Sequence, residues 1–375
     1  VVVIPRSVTY YFPGDARAIS AKAVDSAGAT IPGISIEWTV RDTAIARRDR
    51  DGKVRVRRAG STWLVAAAFG AADSIAVAFS TARPVWRFLV YAAFLSGSDV
   101  SVEPSDSIPA RVYRQVDALN AGFNQAAFDG HVYWELARIV PPGEPDPGPP
   151  PGWYRILYHP GGGGPAEWRA SDLTALMATS WPDGVLGARA ARELIHEFGH
   201  ARGALDLYAQ EVIDPAQNPV TGRTWIPPHG IMTDLTGGWE PYSRFVINRN
   251  ADAPGSGASP GIDEFPDQLI IQVRDAAGQP APGTPVSLYP VAWRSWRVDP
   301  TPQLTGVTDA AGALRATGDV LKQGWANLHV VAVLASGDTA LGWLPVAETQ
   351  LSYLLHPLDP YLLTIQATPY PTRAF

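Results

Sequence analysis

The sequence predicts a multidomain fold in which one mixed α+β module lies between two all-β modules. Three observations carry this. With 375 residues the chain exceeds what one ordinary core organises, so two or three domains are expected. Period-two alternation of apolar and polar residues marks the stretches before residue 83 and after residue 264, whereas helical spacing is confined to two stretches between them. Thirty-five glycines and thirty-five prolines punctuate the chain and favour short strands over long helices. The expected boundaries are 1–82, 83–250, a linker at 251–264, and 265–375.

Composition excludes several classes. A net charge of −6 with 18% charged residues leaves no footprint for nucleic acid or an anionic membrane. Cysteine is absent, so there are no disulfides, thiolate metal sites or cysteine nucleophiles, and any metal must be held by His, Asp or Glu. No apolar run approaches the ~18 residues needed to span a bilayer. Val1-Val2-Val3-Ile4-Pro5 reads as a strand rather than a leader, the expectation for a mature fragment or a processed exported chain.

In the first module Ile34, Ile36, Trp38 and Val40 alternate with polar neighbours, as do Ile19-Ala21-Ala23, Val54-Val56 and Ile75-Val77-Phe79. Turn chemistry at Pro13-Gly14-Asp15, Asp25 to Gly28, Pro32-Gly33 and Asp51-Gly52 separates these runs, which predicts a β-sandwich. With Pro5 and Gly60-Ser61-Thr62, the order resembles the group 2 bacterial immunoglobulin-like domains of exported proteins. Arg47, Arg48, Arg50, Lys53, Arg55, Arg57 and Arg58 form a basic cluster, read as a solvated hairpin face.

The central module opens with the apolar strand Val85 to Leu95. Val112, Val116, Leu119 and Phe123 then fall at helical spacing, and Val132-Trp134-Leu136 and Tyr154 to Tyr158 read as strands. Between those two strands the proline-rich run 141–152 lacks the amides to join a sheet and predicts an exposed loop. Gly161 to Gly164 lacks the Lys-Ser/Thr ending of a phosphate loop and reads as a turn near a cleft.

From Gly187 the chain turns helical and reaches His196-Glu197-Phe198-Gly199-His200-Ala201-Arg202-Gly203-Ala204-Leu205-Asp206. Two helical residues four apart sit about 40° apart around the axis, so His196 and His200 leave one face a turn apart and can grip a metal ion. Glu197 beside them takes the general-base position of the H-E-x-x-H pattern. Gly203 can end the helix in a left-handed conformation and bring Asp206 in as the third ligand. Glu211, Asp214, Glu240 and His229 are rival third ligands. Downstream stands His229-Gly230-Ile231-Met232-Thr233-Asp234.

Taken together, His196-Glu197-x-x-His200-x-x-Gly203-x-x-Asp206 and the later Gly-Ile-Met resemble the metzincin zinc metallopeptidases, with the aspartate ligand of the snapalysins. That resemblance implies a zincin-like catalytic domain at 83–250, with Zn2+ held by His196, His200 and Asp206. It also implies Glu197 as catalytic base, Met232 as a packing floor under the metal, and a protein or peptide substrate. Where one group of these enzymes carries a tyrosine two residues after the methionine, this chain has Asp234. His229, Tyr208 and Tyr242 are then the candidates to stabilise an oxyanion.

The third module repeats a pattern of the first: Asp25-x-Ala27-Gly28-x-x-x-Pro32-Gly33 recurs as Asp275-x-Ala277-Gly278-x-x-x-Pro282-Gly283. Leu269-Ile271-Val273, Val286-Leu288, Leu328-Val330 and Tyr361-Leu363-Ile365 alternate as strands, predicting a second immunoglobulin-like sandwich. Trp293, Trp296 and Trp325 read as core or as a glycan-binding platform. Flanking sandwiches of this kind imply a secreted or envelope-exposed protein with cell-surface or glycan contacts. Two other functions stay open: an adhesion protein whose sandwiches do the work, and a zinc hydrolase of a non-peptide bond.

Overall fold

The computed structural model describes residues 1–4, 7–10, 16–26, 30–49, 52–79, 85–95, 108–125, 128, 131–160, 164–178, 183–261 and 264–368. The chain is multidomain and mixed α+β. It packs as two compact units, one of Arg83–Tyr208 with Pro227–Gly261, the other of Val1–Ala82 with Ala209–Ile226 and Ile262–Phe375. The segment Ala209–Ile226, expected inside the central module, thus belongs to the second unit. Of the glycine run, Gly161, Gly162 and Gly163 lie outside the described residues, as do the turns Pro13-Gly14-Asp15 and Ala27-Gly28.

The first unit is built on a five-stranded sheet in the order His131–Val140, Val85–Phe94, Tyr154–Tyr158, Thr174–Met177, Glu167–Arg169. All pairings are parallel except the last, which makes Glu167–Arg169 an antiparallel edge. The strand Val85–Phe94 is a near-continuous apolar run because both its faces are covered. Val90, Ala92 and Phe94 enter the main core, and Tyr91 and Ala93 enter a smaller cluster with Val140 and Leu157.

Among the described residues this unit holds three helices: α1 (Ile108–Phe123), α2 (Ala188–Ala201) and α3 (Pro241–Arg249). As the spacing predicts, α1 buries Val112, Val116, Leu119 and Phe123. An aromatic cluster fills the space between sheet and α2: Trp134 meets Phe198 edge-on at 4.6 Å and Tyr154 at 5.0 Å. The proline-rich run 141–152 forms no strand and is tied back by Asp146, which accepts from the Tyr91 hydroxyl at 2.7 Å and pairs with Arg155.

The stretch after Asn250, expected as a linker, packs against the end of α2. Gly257 N–H donates to Ala201 O at 2.7 Å. The fully buried Arg202 guanidinium donates to the carbonyls of Asn250 (3.3 Å), Ala253 (3.0 Å) and Gly255.

In the other unit, residues before 80 form small sheets of two, four and three strands around one core that includes Val3, Ile19, Val54, Val56, Leu64, Ile75 and Val77. The basic cluster lies partly on the three-stranded sheet, where Arg47 and Arg55 both pair with Asp49, at 2.9 and 2.8 Å. The C-terminal region is a seven-stranded sheet in the order Leu304–Val307, Pro285–Val291, Asn327–Val333, Thr339–Leu344, Tyr361–Thr368, Gln268–Arg274, Ala313–Thr317.

The C-terminal region is not all-β. The helices Asp319–Lys322 and Val346–Leu355 interrupt the strands, and the second starts after Pro345 in a run without alternation. Trp293 and Trp325 meet at 88°, a packing contact rather than a flat platform, while Trp296 is 40% exposed.

Candidate metal centre

The α2 helix presents the histidines. Alanine and leucine favour it, and Asp183 satisfies its first turn by accepting from Arg189 N–H at 3.3 Å. Leu194 and Phe198 face the core. Glycine is required at both ends of the approach: a Cβ on Gly187 would lie 2.1 Å from the Asp183 carboxylate. At the other end Gly203 has φ +84, and a Cβ there would lie 2.7 Å from both Ala258 O and Asn250 Nδ2. The Asn250 amide also donates to Arg202 O at 3.1 Å, so the turn that reverses the chain toward Asp206 is held from outside.

His196, His200 and Asp206 come together, with one ligand atom from each lying within 4.8 Å of the others. Asp206 Oδ1 is 3.1 Å from His196 Nε2 and 3.0 Å from His200 Nε2. His196 and Asp206 are buried and His200 is half-buried.

The far sides of both rings decide the tautomer. His196 Nδ1 lies 2.8 Å from Ile231 O, and His200 Nδ1 lies 2.7 Å from Ala204 O. A carbonyl only accepts, so each Nδ1 carries the proton and donates it. In a neutral imidazole the Nε2 then bears a lone pair. Two lone-pair nitrogens, each 3.0 to 3.1 Å from the same carboxylate oxygen, repel it unless a cation lies among them. Ligand atoms at the usual 2.0–2.1 Å from a tetrahedral metal lie about 3.3 Å apart, close to the two N···O spacings found. The donor set fits a metal ion.

Burial acts to raise the Asp206 carboxyl, but the His196 and His200 side chains facing it overcome this and hold it far below the usual carboxylate range. Burial pushes Glu197 up to about 7; the His196 side chain opposes the rise, and the carboxylates of Asp206, Glu193 and Glu167 add to it. Glu197 is 5% exposed.

Met232, expected as the floor, is fully buried, and its carbonyl accepts from Leu207 N–H at 3.0 Å. That bond ties the residue after Asp206 to the Gly-Ile-Met turn. Glu240 ties down the turn itself, its Oε1 accepting from Met232 N–H at 2.9 Å and from the Thr233 hydroxyl at 3.1 Å. A Cβ on Gly230 would meet that carboxylate at 2.2 Å, so this glycine too is required.

The rival ligands are engaged elsewhere. Glu240 binds the turn, Asp214 caps the 3-10 helix Pro215–Gln217, and Glu211 lies in Ala209–Ile226 of the other unit. His229 is exposed and pairs with Asp234. Among the oxyanion candidates, Tyr208 lies over the His196 ring at 6.2 Å, whereas Tyr242 is buried in α3. Sequence reading missed Arg202, Asn250 and the clamping role of Glu240. For Glu240 a signal existed: an acid directly before Pro241 marks the start of a helix, and Glu240 is the N-cap of α3.

No family model matches the sequence, and no curated protein matches it. Among solved structures it is similar to a 9R-lipoxygenase from Cyanothece PCC8801, at 14% identity over 36% of this chain and 22% of that chain, with a TM-score of 0.19. A likeness that slight carries no argument.

Proposed function

We propose that this chain is an exported zinc-dependent endopeptidase with a metzincin-like catalytic domain. The observation that carries the reading is the convergence of two Nδ1-committed histidines on Asp206, with buried Glu197 next to the first of them. His196, His200 and Asp206 would hold the ion, and the His/His/carboxylate donor set suits zinc. When bound, zinc supplies Lewis acidity that polarises a scissile carbonyl and makes water a better nucleophile.

The chain's own residues do the rest. Glu197, poised near neutrality by burial, accepts a proton from the attacking water on its carboxylate and returns it to the departing amide nitrogen, so that water is added across the C–N bond. The edge strand Glu167–Arg169 supports a peptide substrate. Its outer side pairs with no other strand among the described residues, and its Glu167 charge is felt at Glu197. An extended peptide can pair with such an edge through its backbone.

The test is metal analysis of the purified protein together with cleavage of a casein-type substrate. One equivalent of zinc and chelator-sensitive cleavage are expected. Wild-type protein that holds no metal, or that holds zinc and cleaves no peptide, would overturn the proposal.

A further inference from the structure

The peptide bond between Ile231 and Met232 is used from both ends. Its carbonyl accepts the Nδ1–H of His196 at 2.8 Å, and its N–H donates to Glu240 Oε1 at 2.9 Å. Both bonds are buried, and the Glu240 side chain is 3% exposed. A carboxylate accepting from a peptide N–H polarises that peptide and makes its carbonyl a stronger acceptor, and the effect is largest in a low-dielectric interior. Carboxylates that bond directly to a ligand histidine fix its tautomer and raise its basicity.

We propose that Glu240 performs this role at one remove, so that Glu240, the Ile231–Met232 peptide and His196 form a carboxylate–peptide–histidine relay. Glu240 is then a positioning residue. It keeps the His196 proton on Nδ1 and strengthens Nε2 as a donor, without touching substrate or metal. Glu240 Oε1 also lies 3.1 Å from the Thr233 hydroxyl, and the Ser243 side chain and Glu240's own N–H act on the same carboxyl. Glu240 occupies the N-cap of α3, so the same carboxylate links a helix start to the metal centre.

The relay rests on the metal-site reading above, and its test separates the two. Glu240→Gln keeps the size of the side chain and an oxygen that can accept from Met232 N–H, but removes the charge. Two quantities are measured: zinc affinity by competition with a chromophoric chelator, and the ring nitrogen shifts of His196 in metal-free protein labelled with 15N-histidine. Seven histidines keep that spectrum assignable.

Glu240→Gln should lower zinc affinity about tenfold and move the His196 nitrogens, with far-UV circular dichroism unchanged. Equal affinity and unmoved His196 shifts in Glu240→Gln would overturn the relay while leaving the zinc site standing. Moved shifts in a protein that binds no zinc would retain the relay and sink the peptidase reading. Should Glu240→Gln lose the fold, the wild-type Met232 amide proton decides: a strongly downfield resonance is expected, and an ordinary one refutes the relay.

Discussion

Gly199 and Met232 are packed so closely that a Cβ on the glycine would lie 2.8 Å from the methionine sulfur and 3.0 Å from the Trp239 ring. Gly199 stands between the two histidines of the helix, so the floor of the site approaches the helix backbone itself. Gly199→Ala is expected to cost about 1–3 kcal/mol through overpacking. It should also weaken metal retention by tilting the helix off its floor. Thermal unfolding with and without added zinc measures both. An unchanged transition and unchanged zinc dependence would show that Met232 and Trp239 yield freely.

Glu197→Gln separates binding from chemistry. The amide cannot take up a proton, yet it keeps the shape of a side chain that does not converge on the ligand atoms. Zinc content should stay at one equivalent while peptide cleavage falls by about 10²–10⁴-fold, the usual contribution of a general base. Cleavage at the wild-type rate would require a different base.

Much of the central unit was legible because its signals are local. The helical spacing of Val112, Val116, Leu119 and Phe123 marks α1, and the one-turn separation of His196 and His200 needs only helix geometry. Gly203 announced its positive φ through its residue type, and Asp206 follows from where such a turn sends the chain.

What was illegible depends on contacts distant in sequence. Nothing near Arg202 in the sequence marks it as buried, and its cage is assembled from Phe88, Trp134, Tyr154 and residues 250–255. The segment Ala209–Ile226 gives no local sign that it packs with the C-terminal sheet. Its attachments include Thr221 to His329, Gln217 O to Val298 N–H and Ala209 O to Arg294 N–H.

Arg202 offers the next test. Its guanidinium lies 4.6 Å from the Phe88 ring centroid and 5.5 Å from that of Tyr154, and it donates to the Tyr154 oxygen. Burial draws its pKa downward, and Tyr154 opposes that. Lysine has a compact ammonium and cannot span carbonyls of residues 250, 253 and 255 at once. Arg202→Lys is expected to destabilise the protein by roughly 1–3 kcal/mol, the cost of leaving a buried acceptor unpaired. Limited proteolysis should then cut first within 250–261. Wild-type resistance there would mean that Asn250 alone holds the segment.

His329 supplies a pH prediction. It is fully buried, with Nδ1 donating to Gly342 O at 3.1 Å and Nε2 accepting from the Thr221 hydroxyl at 2.7 Å. The Trp343 ring lies 4.4 Å from its own. Burial pushes it down to about 4; the bond to Gly342 opposes this, and the Arg223 charge reinforces it. An unfolded chain protonates histidine near pH 6.5, so below that pH the unfolded state binds a proton that the folded state refuses. The sign is therefore a loss of stability as pH falls from about 6.5 to about 4, with no contribution above 6.5. The loss reaches roughly 3 kcal/mol at the lower end, at 1.36 kcal/mol per pKa unit. Because the same imidazole holds Thr221, acid should loosen Ala209–Ile226 from the C-terminal sheet, read as a change in tryptophan fluorescence from Trp225 and Trp343, whose rings lie 6.2 Å apart. His329→Gln, which cannot titrate, should flatten the dependence between pH 6.5 and 4. An equally steep dependence in that variant would assign the acid sensitivity to other groups.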